Sequence, residues 1–158
     1  MRVTAVCVLV AALATVCSAQ AAAGKAENAA AREDISGMYS FLEEGEFVQI
    51  NLEGSLVTGF ISRYGEGERV MFLDHFFKTA ALKGNELTFT TKTVHGVWFD
   101  FKGRVQRGEG KTRPQEGYYV IKGSLTQSAT DASKKVSSKS REVTFRSFPD
   151  ELEPSPPK

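Results

Sequence analysis

Between residues 35 and 148 apolar side chains recur at every second position, and no stretch there keeps the 3.6-residue period of an amphipathic helix. That period of two commits the chain to strands. Ile35, Gly37, Tyr39 and Phe41 alternate with Ser36, Met38, Ser40 and Leu42. Val48, Ile50 and Leu52 follow the turn Glu43-Glu44-Gly45-Glu46, and Glu53-Gly54 reads as a tight hairpin turn. Val57, Gly59 and Ile61 mark a third strand, residues 64–68 a loop, and residues 70–82 a long fourth strand. Gly84-Asn85 turns that strand into Leu87, Phe89, Thr91 and Thr93.

The segment TVHGVWFDFKGRV, residues 93–105, continues the hairpin and holds the only tryptophan. A two-residue turn at His95-Gly96 sets Phe89 opposite Lys102 and Leu87 opposite Arg104, which mixes the faces. A three-residue loop, Val94-His95-Gly96, sets Phe89 opposite Phe101, Thr91 opposite Phe99 and Leu87 opposite Gly103. The second register keeps apolar beside apolar, and a slip of one residue would lose that. It points Trp98 away from the face of Phe99 and Phe101, together with Asp100 and Lys102.

Residues 117–125, GYYVIKGSL, echo WFDFKGRV about twenty residues earlier, with Lys122-Gly123 in the place of Lys102-Gly103. VTGFI, at residues 57–61, has the same apolar-x-Gly-x-apolar form. Glycine in mid-strand weakens a sheet unless the sheet must bend or a backbone must come close. Three such glycines predict a strongly coiled sheet. A last strand comes from SREVTFRSF, beginning at Ser140, and residues 128–140 read as a long mobile hairpin tip. The expected fold is all-β: eight strands in an antiparallel up-and-down meander that closes into a small barrel and so hides its edges. Its inner face would carry Tyr39, Phe41, Val48, Ile50, Ile61, Phe89, Phe99, Phe101, Tyr119, Ile121 and Phe145.

This architecture resembles the small secreted barrels of the calycin group, the lipocalins and avidins. SGMYSF occupies the place of the lipocalin first-strand Gly-x-Trp, with Tyr39 where the tryptophan is expected, and SLVTGFIS is similar to the Gly-containing third strand of avidins. The resemblance implies a barrel over residues 34–148 and a basic residue, Arg141 or Arg146, over the Tyr39 ring. No biotin-binding residues carry over. As a whole the chain resembles a secreted bacterial β-barrel protein.

The ends read differently. Arg2 precedes an unbroken apolar and small-residue run, residues 3–16, too short for an ordinary membrane-spanning helix. Cys17-Ser18-Ala19 and Ala19-Gln20-Ala21 offer small residues for cleavage, so residues 1–19 are expected to be a secretory signal, cut there or at 21. Val16 before Cys17 argues against a lipidated cysteine. Residues 20–33 read as an Ala-rich linker and residues 149–158 as a disordered tail. Cys7 and Cys17 both lie in the signal, so the exported chain holds together without disulfides. The remaining span of about 115 residues is long enough for one domain with an ordinary core. Setting Arg2 aside leaves 19 Lys and Arg against 19 Asp and Glu, and that balance argues against nucleic acid as a partner.

Motifs for chemistry are sparse. GEGKT at residues 108–112 imitates the end of a phosphate loop, but Val105 stands where its first glycine is required and Arg113-Pro114 leads into a strand. Asp74 and His75 are neighbours in a strand and point to opposite faces. The Gly84-Asn85 turn brings His95 level with Asp74, yet a third metal ligand is lacking. His95 sits at a loop tip, where histidine tolerates left-handed backbone. No cofactor and no metal is expected, the Glu43, Glu44 and Glu46 turn reads as solvated, and no nucleophile stands in a catalytic setting. The leading expectation is a secreted or periplasmic, non-enzymatic barrel for a small apolar ligand. Tyr39, Phe41, Phe89, Phe99, Phe101 and Tyr119 are then its ligand-facing or core residues. The alternative is a packed barrel that meets a second copy or a secreted protein through Phe72, Phe76, Trp98 and Tyr118. Phe72 and Phe76 share one face of a strand whose other face is also apolar, a pattern usually covered on both sides.

Overall fold

A computed structural model describes residues 33–65 and 71–149. The signal, most of the linker, the start of the fourth strand at Val70 and the tail beyond Pro149 lie outside the described residues. Eight strands follow in chain order: β1 (Gly37–Ser40), β2 (Phe47–Glu53), β3 (Leu56–Tyr64), β4 (Phe72–Lys83), β5 (Glu86–Thr91), β6 (Val97–Arg107), β7 (Tyr119–Thr130) and β8 (Val136–Arg146). Each pairs antiparallel with the next. The first tight turn falls one residue later than expected, on Gly54-Ser55 between the paired Glu53 and Leu56. The turn at Gly84-Asn85 lies where expected, between Lys83 and Glu86.

The β5–β6 register is the expected one, with Phe89 opposite Phe101 and Leu87 opposite Gly103. Its tip is nevertheless a two-residue turn. Val94 and Val97 exchange two backbone hydrogen bonds of 2.9 Å, and His95 and Gly96 between them have φ of 49° and 78°. A bulge reconciles the two. Between the Thr90–Asp100 and Val94–Val97 pairs, the β5 side carries residues 91–93 while β6 carries only 98 and 99. Below the bulge the apolar faces stay matched, and above it the turn adopts its preferred form.

All eleven expected inner-face residues are buried. Their rings pack in series across the concave side. Phe77 stacks on Phe89 at 4.3 Å, Phe89 on Phe101 at 5.0 Å, and Phe101 lies against Phe145 at 5.0 Å. Phe41 joins Phe145 and Phe99, each at 5.9 Å. Tyr39 sits fully buried beside them and its hydroxyl donates to the Ile35 carbonyl at 2.7 Å.

The sheet does not close. It curls through 230° as an open half-barrel, in place of the expected closed barrel. β1 meets the residues just after β8 at one bridge, Tyr39 with Ser147, backed by the Phe148 N–H donating to the Met38 carbonyl at 2.8 Å. The reason is length: β1 has four residues and β8 has eleven, so β1 cannot cover the edge that β8 presents.

The expected long tip at residues 128–140 is also corrected. β7 and β8 stay paired up to Thr130 and Val136, and only residues 131–135 turn. This arm has few apolar side chains to betray it. Hydroxyls link its strands instead, Thr126 with Ser140 at 2.7 Å and Ser128 with Ser138 at 2.8 Å. Asp131 accepts from the backbone N–H groups of Ser133 and Lys135, and from the Ser133 hydroxyl. The Ser133 hydroxyl, together with those N–H groups, holds its carboxyl below the usual range.

The mid-strand glycines explain the curl. Gly103 and Gly123 face each other across β6 and β7. A Cβ at Gly123 would lie 2.3 Å from the Gly103 Cα, and one at Gly103 would lie 2.4 Å from the Phe101 ring. The strands thus approach face to face with a ring folded over the gap, as glycines in curved sheets require. Gly123→Ala is expected to lower unfolding free energy by about 1–3 kcal/mol through overpacking against backbone. Gly54→Asn, in open space, should cost less than about 1 kcal/mol because Asn accepts left-handed backbone. Urea titration of both variants checks this, and equal losses would remove the packing explanation.

Candidate functional site

The ring series fills the concave side, so space for a ligand must lie at its ends. One such space is built by β3, β4 and the β5–β6 turn. Ile61 is buried inside and pairs with His75, which fixes the parity of both strands. Arg63 pairs with Leu73 two residues further along and therefore shares the inner side with them. The turn adds Val94, His95 and Val97. Together with Arg63, Leu73, His75, Gly65 and Met71, these three line a cavity of about 330 Å³, at the small end of ligand pockets.

His75 is its unusual member. The residue is 1 % exposed, and neither ring nitrogen makes a hydrogen bond of normal geometry; the Lys92 backbone acts on the ring only as a poorly aligned partner. Its imidazole stands edge-on to Phe99 at 5.0 Å. Burial and then the positive charge of Arg63 push its pKa below the ordinary 6.5, partly opposed by the Lys92 backbone and the Asp74 carboxylate. The ring is therefore neutral at neutral pH, with one N–H to give and one nitrogen to accept.

Arg63 stands at the edge of this cavity with its side chain 16 % exposed. Its guanidinium lies 5.8 Å from the Phe99 ring centre and 4.0 Å from the Glu46 carboxylate. Glu46 is 5 % exposed and accepts the Tyr64 N–H at 3.0 Å, so it is not part of a solvated turn as the sequence suggested. A second, smaller cavity of about 70 Å³ lies on the Glu46 side of Arg63 and touches Phe41, Phe99 and Arg141. A broader depression over β4–β7, about 360 Å³, is bordered by Thr88, Thr90, Asp100 and Lys102. Two of its polar groups already satisfy each other, Thr90 donating to Asp100 at 2.6 Å.

The sequence-derived candidates separate into groups. Phe89 and Phe101 belong to the ring stack, Phe41 and Phe99 reach the small cavity, and Tyr39 and Tyr119 are buried beside β8. Phe72 and Phe76 lie on the outer face, each 52 % exposed, so no described residue covers that side of β4. Phe47 and Phe60 extend Phe76 into a row, with ring centres 5.7 and 5.3 Å apart, and Tyr64 packs on Phe72 at 4.6 Å. Trp98 is half-buried opposite Ser128 and points away from the core. Tyr118 departs from its expected place. It precedes β7, packs against the core, and lies under Arg107 at 3.9 Å. Alternation alone could have found Phe47 and Phe60, since they adjoin the inward Val48 and Ile61. Arg63 has the same parity as Ile61, but its charge argued for the surface.

Asp74 and His95 do not form the imagined pair. Asp74 is exposed beside Ser62, while His75 and His95 line one cavity. Among the described residues no group of three or more His, Cys, Asp or Glu could hold a metal ion. His75 predicts a pH dependence. Its folded pKa lies below the unfolded value, so the unfolded chain binds the proton first. Its contribution to stability is full above the ordinary 6.5 and falls as pH drops below that toward the folded value. Urea midpoints between about pH 7 and pH 5 should therefore decline in the wild type and decline less in His75→Phe. Parallel curves would take His75 out of the account.

No family model, no curated protein and no solved structure matches this chain.

Proposed function

We propose that this chain is a secreted, non-enzymatic binding protein that takes one small, largely apolar ligand in the cavity between β3, β4 and the β5–β6 turn. The observation that carries this reading is the cavity itself. Leu73, Met71, Val94 and Val97 give it apolar walls, and His75 brings a buried imidazole whose nitrogens make no hydrogen bond of normal geometry. Buried polar atoms normally have partners, and an unpaired one at a cavity wall is a place for a ligand to supply it. The likeness to the calycin group belongs to this reading as an architectural analogy. Export rests on the apolar run at residues 3–16 and the small residues after it.

The test is native mass spectrometry of protein exported to a bacterial periplasm, compared with its denatured mass. The expected result is a chain beginning after Ala19 or Ala21 that carries a small mass lost on denaturation. Leu73→Trp, which fills the cavity, should lose that mass and weaken uptake of the neutral probe N-phenyl-1-naphthylamine by roughly tenfold or more. Unchanged uptake would place the ligand elsewhere and remove this reading.

A second reading has its own observation. Two ring groups, Phe47–Phe60–Phe76 and Tyr64–Phe72, lie on the outer face of β2–β4. Exposed apolar patches of this kind mark association surfaces. Self-association through it predicts a concentration-dependent dimer in analytical ultracentrifugation that Phe76→Ser disperses without a change in thermal midpoint. A wild type that stays monomeric at high concentration would end this reading.

A further inference from the structure

We propose a second binding site, for the phosphate group of a phosphomonoester, on the concave side of the β7–β8 arm at Lys139 and Arg141. It shares no lining residue with the apolar cavity and takes a ligand of different chemistry. The register sets the direction of both side chains. Phe145 and Val143 lie opposite Ile121 and Gly123 and are buried on the inner side. Arg141, opposite Leu125, and Lys139, opposite Gln127, have the same parity and point the same way. The inner stripe of β8 therefore turns from apolar to cationic. The change comes where β8 loses its neighbour. Ser40 accepts the Arg146 N–H at 3.1 Å, and among the described residues no strand pairs with β8 on that edge before this point. With Gln127, Ala129, Ser137 and Ser138 the two cations line a cavity of about 340 Å³.

Both cations are exposed, and among the described residues neither forms an ion pair. Arg141 also borders the small cavity with Glu43 and Glu46, but no ion pair joins it to either, and Glu46 is engaged by the Tyr64 N–H and Arg63. Two residues apart on one strand, the positions of Lys139 and Arg141 are separated by about 6.7 Å. Like charges this close repel, and an anion between them removes the repulsion. Guarding an open edge also calls for cations, yet charge on either face of β8 would serve that purpose. Here both cations face the concave side beside Gln127 and Ser137, which have donors to add. Ser138 already shares its hydroxyl with Ser128. Arginine grips two phosphate oxygens at once, lysine supplies a point charge, and the amide and hydroxyl donors reach the remaining oxygens. A phosphomonoester dianion matches two cations, whereas a carboxylate carries half that charge.

The experiment is titration of the isotope-labelled exported protein with glycerol 3-phosphate, followed by backbone amide resonances, at constant ionic strength and about pH 8, where the phosphate is dianionic. Glycerate is the carboxylate comparison. Glycerol 3-phosphate is expected to move the resonances of Gln127 and residues 137–141 and to bind roughly tenfold or more tighter than glycerate. Lys139→Gln and Arg141→Gln should each weaken it by roughly tenfold with an unchanged thermal midpoint, while Lys122→Gln, on the outer face, leaves it as it was. Phosphatidylcholine vesicles containing phosphatidate present the same group on a lipid. Retention on them that glycerol 3-phosphate displaces supports the site with a lipid headgroup as its source, and titration without retention supports it with a soluble ester. Equal binding of glycerate, shifts confined to other strands, or affinity that survives both substitutions would overturn the proposal. So would binding that appears only when Asp150→Asn, Glu151→Gln and Glu153→Gln are combined in the full chain, which would give the cations to the acidic tail. None of these outcomes bears on the apolar cavity, whose own test is Leu73→Trp.

Discussion

The ring series Phe77, Phe89, Phe101, Phe145, Phe41 and Phe99 spans the concave side, and most other features of the molecule accommodate it. These rings come from β4, β5, β6, β8 and the loop after β1, so the contacts join neighbouring strands at one end and, through Phe41 and Phe145, segments far apart in the chain. Rings packed at 4.3 to 5.9 Å bury large apolar areas and add the edge and stacking preferences of aromatic pairs. A flat sheet could not bring them together. The Gly103–Gly123 pair lets β6 and β7 approach closely enough to curl, and the Phe101 ring occupies the space that side chains there would take. Gly59 does the same under Phe77, whose ring would come within 2.8 Å of a Cβ at that position.

Filling the middle moves any binding space to the end. The stack stops at Phe99 and His75, and beyond them the inner side of β3 and β4 continues as Arg63 and Leu73. Two bulges shape this end. One, between Phe77 and Thr79, lets Phe77 and Leu82 both face inward although they differ in parity. The other, before the His95-Gly96 turn, shifts Val94 and Val97 by one position relative to the ladder below. Bulges that re-aim side chains beside functional sites are a recurrent device in curved sheets. The buried Glu46–Arg63 pair then connects this rim to the loop between β1 and β2, where Phe41 enters the stack. A pair partly withdrawn from water is weak support for stability, but it helps to fix where the guanidinium lies.

The outer surface follows a different rule. Its rings are concentrated on β2–β4, whereas the outer side of the β7–β8 arm is built from hydroxyls and charges. Among the described residues no strand pairs along the outer edge of β8, and residues 137–141 there are Ser, Ser, Lys, Ser and Arg. Polar and cationic side chains on an open edge discourage pairing with another chain. The open half-barrel thus has one guarded edge and one aromatic face.

The alternation of side chains determined much of this protein by itself. A period of two needs only local geometry, because successive residues on a strand must face opposite ways. That is why the eleven inner residues, the β5–β6 register and the outward direction of Trp98 were legible. The β7–β8 arm was not legible, because its strands pair through hydroxyls and carry no apolar pattern. Closure was decided by the relative lengths of β1 and β8, and neither length follows from periodicity alone. The site was decided last and furthest from the sequence. His75 lacks a well-formed hydrogen bond and Arg63 is inward only because β3, β4 and a turn about twenty residues later in the chain come to one end of the sheet. Electrostatics and burial there depend on distances across strands, and only the tertiary structure sets those.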